Sequence, residues 1–193
     1  MSDAGSSSAP AKSCGSCGMC CKVLHISALQ KPAGQWCGVF RKGSGCGDYD
    51  GRPSACRGFH CLWLTSEKLD DAWRPDKAGF LMYPDRDGKR LNVVVDPGKP
   101  VSWKREPYYS RLKAMSRRAL DGFELLICIG DRRVVMFPTE DADLGVLDPD
   151  HKIVSGYVER DGAQVPFAMV LSDAEGVEAV HGGGDTHSPQ GLG

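Results

Sequence analysis

The sequence has no long apolar run and no strong excess of charge of either sign. No stretch approaches the roughly 20 apolar residues that a membrane helix needs, so we expect no membrane partner. The formal net charge of −1 does not indicate a nucleic-acid partner for the molecule as a whole. The first residues, MSDAGSSSAPAKS, lack the apolar segment of a secretory signal, which favours a cytoplasmic location.

The common signatures of catalysis are also missing. The sequence contains no G-x-G-x-x-G loop, no P-loop and no Ser-His-Asp signature. The Cys-x-x-x-Cys-x-x-Cys spacing of radical S-adenosylmethionine enzymes is absent as well. An enzyme activity therefore has weak support from the sequence, and the question whether this protein is an enzyme stays open.

Cysteine, in contrast, is abundant and concentrated in one part of the chain. Eight of the nine cysteines lie between Cys14 and Cys61, and Cys128 stands alone in an apolar run, where we predict a buried small apolar residue. In a reducing compartment such a cluster more often binds metal than forms disulfides. A disulfide framework is disfavoured because nothing in the sequence indicates an oxidising compartment. A thiol–disulfide exchange site at Cys14 and Cys17 is disfavoured because these residues do not lie at the end of a strand before a long helix.

Composition divides the chain into four segments. They are a disordered leader (1–12), a cysteine module (13–63), an α+β segment (64–171) and a disordered Gly-rich tail (172–193). In the α+β segment, turn residues separate paired β-rich runs and predict three hairpins: GFLMYP with LNVVVD, ELLICIG with VVMFP, and SGYVE with VPFAMVL.

One amphipathic helix is predicted between the first two hairpins. It begins near Pro107 and ends at Gly122. Its predicted apolar stripe consists of Tyr108, Leu112, Met115 and Leu120. The predicted fold class is therefore α+β, with a small, loop-rich, metal-nucleated cysteine module packed on short antiparallel β-hairpins and one amphipathic helix.

The spacing of the clustered cysteines indicates metal ligands. Two intervening residues let a tight turn direct both thiolates at one metal, and CxxCxxC is also the three-ligand run of bacterial ferredoxins. Adjacent side chains diverge, so Cys20 and Cys21 rarely share one metal ion. The predicted ligands, enough for two four-thiolate sites, are Cys14, Cys17, Cys20, Cys21, Cys37, Cys46, Cys56 and Cys61. Ligation by His60 is a disfavoured alternative.

The charge of the module fits anionic thiolate sites without identifying the metal. Residues 1–61 contain seven Lys and Arg against three Asp, a formal excess of four positive charges. Zinc with four thiolates and a four-iron cluster with four thiolates are both anionic. Either kind of site would offset this excess, so the basic residues need no nucleic-acid partner.

Four features together resemble a known family. They are CGSCGMCC, the following WC and GC pairs, and RPSACRGFHCLW. This pattern is similar to the CxxCxxCC, or YkgJ-like, family of bacterial cysteine-cluster proteins, described as zinc- or iron-chelating. The similarity covers residues 14–63, about a quarter of the chain. The resemblance implies a metal-binding module. A related pattern in the flagellin lysine methylase is associated with an iron–sulfur cluster, which implies iron as an option here.

Three functions follow as alternatives. The first is a metal-binding protein with a structural or metal-handling role and a possible protein client, in which an iron–sulfur cluster is slightly favoured over zinc. The second is an iron–sulfur enzyme that modifies a protein or a small molecule. The third is a nucleic-acid-binding zinc module that uses the basic run Lys99, Lys104, Arg105, Arg111, Lys113, Arg117 and Arg118. The third is disfavoured because residues 64–171 hold 17 basic and 18 acidic residues.

Overall fold

A computed structural model describes residues 12–171 and the backbone of residues 177–182. The predicted disordered leader lies outside the described residues, apart from Lys12. Within the predicted Gly-rich tail, the described segment Val177–Gly182 forms a strand that pairs with the preceding one, and the remainder of the tail lies outside the described residues.

The described residues form short helices and ten strands. The helices are α1 (Met19–Val23), α2 (Ser54–Gly58), α3 (Leu62–Thr65), α4 (Pro75–Ala78) and α5 (Tyr108–Ser116). The strands are β1 (Phe40–Arg41), β2 (Gly45–Cys46), β3 (Phe80–Asp85), β4 (Arg90–Val95), β5 (Glu124–Ile129), β6 (Arg132–Met136), β7 (Asp141–Val146), β8 (Lys152–Arg160), β9 (Ala163–Leu171) and β10 (Val177–Gly182). The fold is α+β, as predicted.

The strands form three sheets. The central sheet has the order β3-β4-β5-β6-β7, a second sheet has the order β10-β9-β8, and β1 pairs with β2. The three predicted hairpins are confirmed as the antiparallel pairs β3–β4, β5–β6 and β8–β9. The pair β4–β5 is parallel, which the sequence did not predict, and the connection between these strands contains α5.

The predicted amphipathic helix is α5, followed by a 3₁₀ turn, Arg117–Asp121. Gly122 ends it in the left-handed conformation, with φ of 75°, as predicted. Leu112 is fully buried, but Leu120 is 64% exposed and the prediction for it was wrong. The 3₁₀ turn has about three residues per turn instead of 3.6, so Ala119 takes the buried position.

The central sheet is covered on both faces. One face packs with α5 and two buried tryptophans, Trp73 and Trp103, around the largest apolar cluster. The other face is shared. At β3 and β4, Leu81 and Val94 pack against the cysteine module, while β5, β6 and β7 pack against the sheet of β8 and β9. The cysteine module therefore rests on one edge of the central sheet.

Cys128 lies on β5, partly buried against the cluster between the two larger sheets, and burial raises the pKa of its thiol. Its position agrees with the predicted apolar role. Across the part of the chain that the structure describes, no helix combines the length and apolar character needed to cross a membrane.

Candidate metal centre

The first four cysteines lie on a tight turn and the helix that follows it. The amide of Cys17 donates to the carbonyl of Cys14 at 2.9 Å, and α1 then carries Cys20 and Cys21. Met19 and Val23 of α1 are buried against Leu81 of β3. The apolar face of α1 thus anchors the cysteine turn on the central sheet.

Two glycines let the segments of the module approach one another. A Cβ at Gly45 would lie 2.3 Å from the carbonyl oxygen of Gly15, and Gly45 has φ of +89°. A Cβ at Gly18 would lie 2.0 Å from the ring of Phe40. Side chains are excluded at both positions, so the strand that carries Cys46 can lie directly against the first cysteine turn.

The other four predicted ligands come from later segments. The amide of Cys37 donates to the carbonyl of Cys21 at 2.9 Å. Cys46 ends β2, Cys56 lies in α2, and Cys61 is the residue that precedes α3. All nine cysteines of the chain are free thiols.

A single pocket of about 480 Å³ collects the predicted ligands. Seven of the eight line it: Cys14, Cys17, Cys20, Cys21, Cys37, Cys46 and Cys56. Cys61 is not among the lining residues, but its thiol is close enough to Cys14 and Cys20 for their charges to affect its pKa. The structure therefore brings together cysteines that are up to 42 residues apart in the chain, from Cys14 to Cys56.

Burial and mutual proximity shift the acidity of these thiols. Burial is the main reason that the thiol pKa is raised at four positions, Cys14, Cys17, Cys56 and Cys61. A side-chain hydrogen bond between Cys20 and Cys21 raises the pKa of Cys20 and lowers the pKa of Cys21. Several negative charges in this pocket would repel one another unless a cation joined them.

Fixed cations lie beside the pocket. Lys31 is 6% exposed, and its ammonium donates to the carbonyl of Lys22 at 2.8 Å and to the carbonyl of Leu24. Burial lowers the pKa of Lys31, while nearby Cys37 and Cys21 act in the opposite direction. Arg52 lines the pocket and favours ionisation of Cys14. These positive charges suit anionic sulfur.

The sulfur atoms as placed do not surround a common point. Within residues 12–171, no group of three or more His, Cys, Asp or Glu side chains is arranged to hold a metal ion. Cysteine binds metal as the thiolate, so each ligand must lose its proton. Rotation about χ1 moves a cysteine sulfur between staggered positions without moving the backbone. Metal binding here requires both deprotonation and such rotations, and the predicted nucleation of the module by metal stays a prediction.

The remaining residues of the module divide between the pocket and its surroundings. Phe59 lines the pocket, whereas Trp63 is buried in the main apolar cluster on the opposite face of the sheet. His60 is exposed, does not line the pocket and has Nδ1 3.2 Å from the carbonyl of Gly58. Sequence reasoning missed Tyr49 and Arg52, which line the pocket from the loop between Cys46 and Cys56. The sequence signal for both residues was their position in the loop between two predicted ligands, Cys46 and Cys56.

Two residues of the basic run around α5 donate hydrogen bonds to backbone carbonyls within the protein. Lys113 donates to the carbonyls of Phe137 and Glu140 at 2.6 and 2.7 Å and forms an ion pair with Asp141 at 2.8 Å. The guanidinium of Arg105 donates to the carbonyl of Ala78 at 2.9 Å. These contacts account for Lys113 and Arg105 by the packing of α5 and its flanking segments, whereas the other five residues of the run are exposed.

Comparisons with protein-family models, with curated proteins and with solved structures find no match to this chain. The resemblance of residues 14–63 to the CxxCxxCC family therefore stays a prediction, and the site must be interpreted from its own geometry.

Proposed function

We propose that this protein binds metal through its cysteine cluster, in a structural or metal-handling role. The observation that carries the proposal is the convergence of seven predicted ligands on one pocket, from a turn, two helices, a loop and a strand. A soft metal prefers thiolate ligands. The eight cysteines of the module form no disulfides. Their concentration in one module fits metal binding better than a separate structural role for each thiol. A cytoplasmic location, where thiols stay reduced, belongs to the same proposal.

We favour an iron–sulfur cluster over zinc as the bound group. The CxxCxxC run of Cys14, Cys17 and Cys20 matches the three-ligand run of ferredoxins. When bound, either group would supply positive charge to the thiolates. The chain itself supplies the cysteines, the buried ammonium of Lys31 and the apolar walls that limit access of water.

The first test is a visible absorption spectrum of protein purified without oxygen, together with iron, zinc and sulfide analysis. An iron–sulfur cluster gives a broad brown absorption that bleaches with dithionite, whereas zinc–thiolate sites are colourless. Protein that carries zinc alone would keep the metal-binding proposal and exclude the preference for iron. Protein that holds neither metal after anaerobic reconstitution would contradict the proposal.

Two cysteine variants make the test specific. Cys17→Ser removes a thiol from the pocket, and we expect loss of bound metal. Cys128→Ser changes the one cysteine outside the module, on β5, and we expect unchanged metal content. Equal metal content in the two variants would show that the cluster is not the binding site.

A further inference from the structure

The pocket is larger than a metal ion alone requires. The sulfur atoms that line the pocket would lie about 2.3 Å from a bound metal ion and form its coordination shell. Such an ion would fill little of the 480 Å³. Pockets of about 300–1,000 Å³ are the usual size for small-molecule sites. The volume beyond the cysteines is therefore sufficient for an organic molecule.

The mouth of this pocket is apolar and exposed. Three large side chains that line it, Leu29, Val39 and Tyr49, are 42%, 37% and 51% exposed. Apolar side chains that remain in contact with water around a cavity indicate a surface that another molecule covers. The three come from separate segments of the module, so their shared position results from the fold.

One cation is held in place at the same mouth. Nε of Arg52 donates to the carbonyl of Tyr49 at 2.6 Å, and the guanidinium lies 3.4 Å from the centre of the Tyr49 ring. Among the described residues, the Nη atoms of Arg52 have no hydrogen-bond partner. The pocket carboxylate, Asp48, already accepts from the amide of Gly51 at 3.0 Å. The guanidinium is thus oriented and able to donate to an anionic group.

We propose that this pocket binds an organic anion with an apolar body, whose negative group contacts Arg52 and whose body lies against Leu29 and Val39. The inference needs the pocket but not the metal, so it stands apart from the metal-binding proposal. A bound organic anion at this mouth would lie directly beside the thiols.

The test uses two fluorescent probes with related ring systems. 1-Anilinonaphthalene-8-sulfonate has an apolar body with a sulfonate, and N-phenyl-1-naphthylamine has the same rings without the charge. We expect saturable binding of the sulfonate at one site per chain. Arg52→Met should weaken sulfonate binding about tenfold, as expected for loss of a charge-assisted hydrogen bond, and should leave binding of the uncharged probe nearly unchanged.

The control is Arg41→Met, which removes an exposed arginine of the same module that does not line the pocket. We expect it to bind both probes like the wild type. An equal effect of the two substitutions, or sulfonate binding without saturation, would overturn the inference. Wild-type protein that lacks metal yet shows the Arg52 dependence would contradict only the metal-binding proposal.

Discussion

At the scale of single residues, several polar groups are buried on β4 and β5. Arg90 forms an ion pair with Glu124, and Glu124 also accepts from the hydroxyl of Ser155 at 2.7 Å, so this pair links the central sheet to β8. Asn92, two residues further along β4, is 5% exposed, and its Nδ2 has no hydrogen-bond partner among the described residues. A buried donor without a partner costs stability.

We therefore expect Asn92→Leu to raise the free energy of unfolding by about 1 kcal/mol, because leucine has a similar volume and no unpaired donor. Urea titration followed by tryptophan fluorescence measures the change. Val93→Asn is the matched control, since it puts the same amide on the opposite, fully apolar face of β4. Val93→Asn should lower the free energy of unfolding by about 3 kcal/mol. A loss of stability in Asn92→Leu would mean that the amide has a partner in solution.

Tyr109 makes the stability depend on pH in the alkaline range. Burial raises the pKa of its phenol, and the hydrogen bond to Asp141, at 3.0 Å, raises the pKa further. A group whose pKa is higher in the folded protein contributes stability that is complete below its unfolded pKa, about 10. That contribution is lost as the pH rises through the folded value.

The expected result is that Tyr109→Phe loses less stability than the wild type as the pH rises above about 10. Urea midpoints measured by circular dichroism at a series of pH values give the pH dependence of stability for the wild type and the variant. At pH 8 the variant should be the less stable one, because it lacks the hydrogen bond to Asp141. Parallel curves for both proteins would show that Tyr109 titrates as an ordinary exposed tyrosine.

At the scale of elements, the sheet β1–β2 and the turn of Cys14 depend on glycines at their contact. Gly45→Ala introduces a Cβ that meets the carbonyl oxygen of Gly15 and forces alanine into a left-handed conformation. We expect a loss of about 2 kcal/mol or more in the free energy of unfolding of the module, together with lower metal content. Thermal unfolding and metal analysis measure the two effects.

Gly58→Ala is the control for this substitution. Gly58 ends α2, and a Cβ there would meet no atom within 4 Å. Stability and metal content should stay the same or rise slightly, because alanine restricts the unfolded chain more than glycine does. Similar losses in Gly45→Ala and Gly58→Ala would mean that the close approach at Gly45 is not what excludes a side chain.

The helix α5 is fixed to the far edge of the central sheet by Lys113, whose ammonium contacts the turn after β6 and Asp141 of β7. Lys113→Met should lower the free energy of unfolding by about 2–3 kcal/mol, because two carbonyls and a carboxylate lose a charged donor. Arg117→Met, at an exposed position next to the end of α5, should change it by less than about 0.5 kcal/mol. Urea titrations of both variants measure the two changes in the free energy of unfolding. Equal changes would show that the contacts of Lys113 contribute no more stability than an exposed side chain does.

The elements also show which parts of the fold are encoded locally. Each confirmed hairpin has its turn residues between its two strands, so a short stretch of sequence contains the whole signal. The parallel pair β4–β5 joins segments separated by α5, and no local pattern specifies that pairing. Leu120 was misplaced because a 3₁₀ turn replaces the last α-helical turn. The cysteines were identified by residue type, whereas Arg52 belongs to the site only because the folded loop carries it there.

At the scale of the whole molecule, the cysteine module and the main apolar cluster lie on opposite faces of the central sheet. Removal of metal should therefore loosen the module more than the core. With EDTA, we expect faster amide hydrogen exchange in residues 13–63 and unchanged exchange in β5 and β6, measured by mass spectrometry. Cys17→Ser, which we expect to bind no metal, should show no response to EDTA. An equal increase of exchange in residues 13–63 and in β5 and β6 would contradict the expectation that the module loosens more than the core.

The residues that form the pocket and the apolar cluster beneath it occur early in the chain. The last residue that lines the pocket is Tyr83, and the cluster ends with Val94 of β4. The chain that follows builds β5 to β10. During synthesis, a nascent chain released as far as Val95 already holds all the thiols of the module and the hairpin on which they rest. For the metal-binding function proposed above, this order means that loading can precede completion of the central sheet, and that a limited metal supply would act on the protein before its synthesis ends.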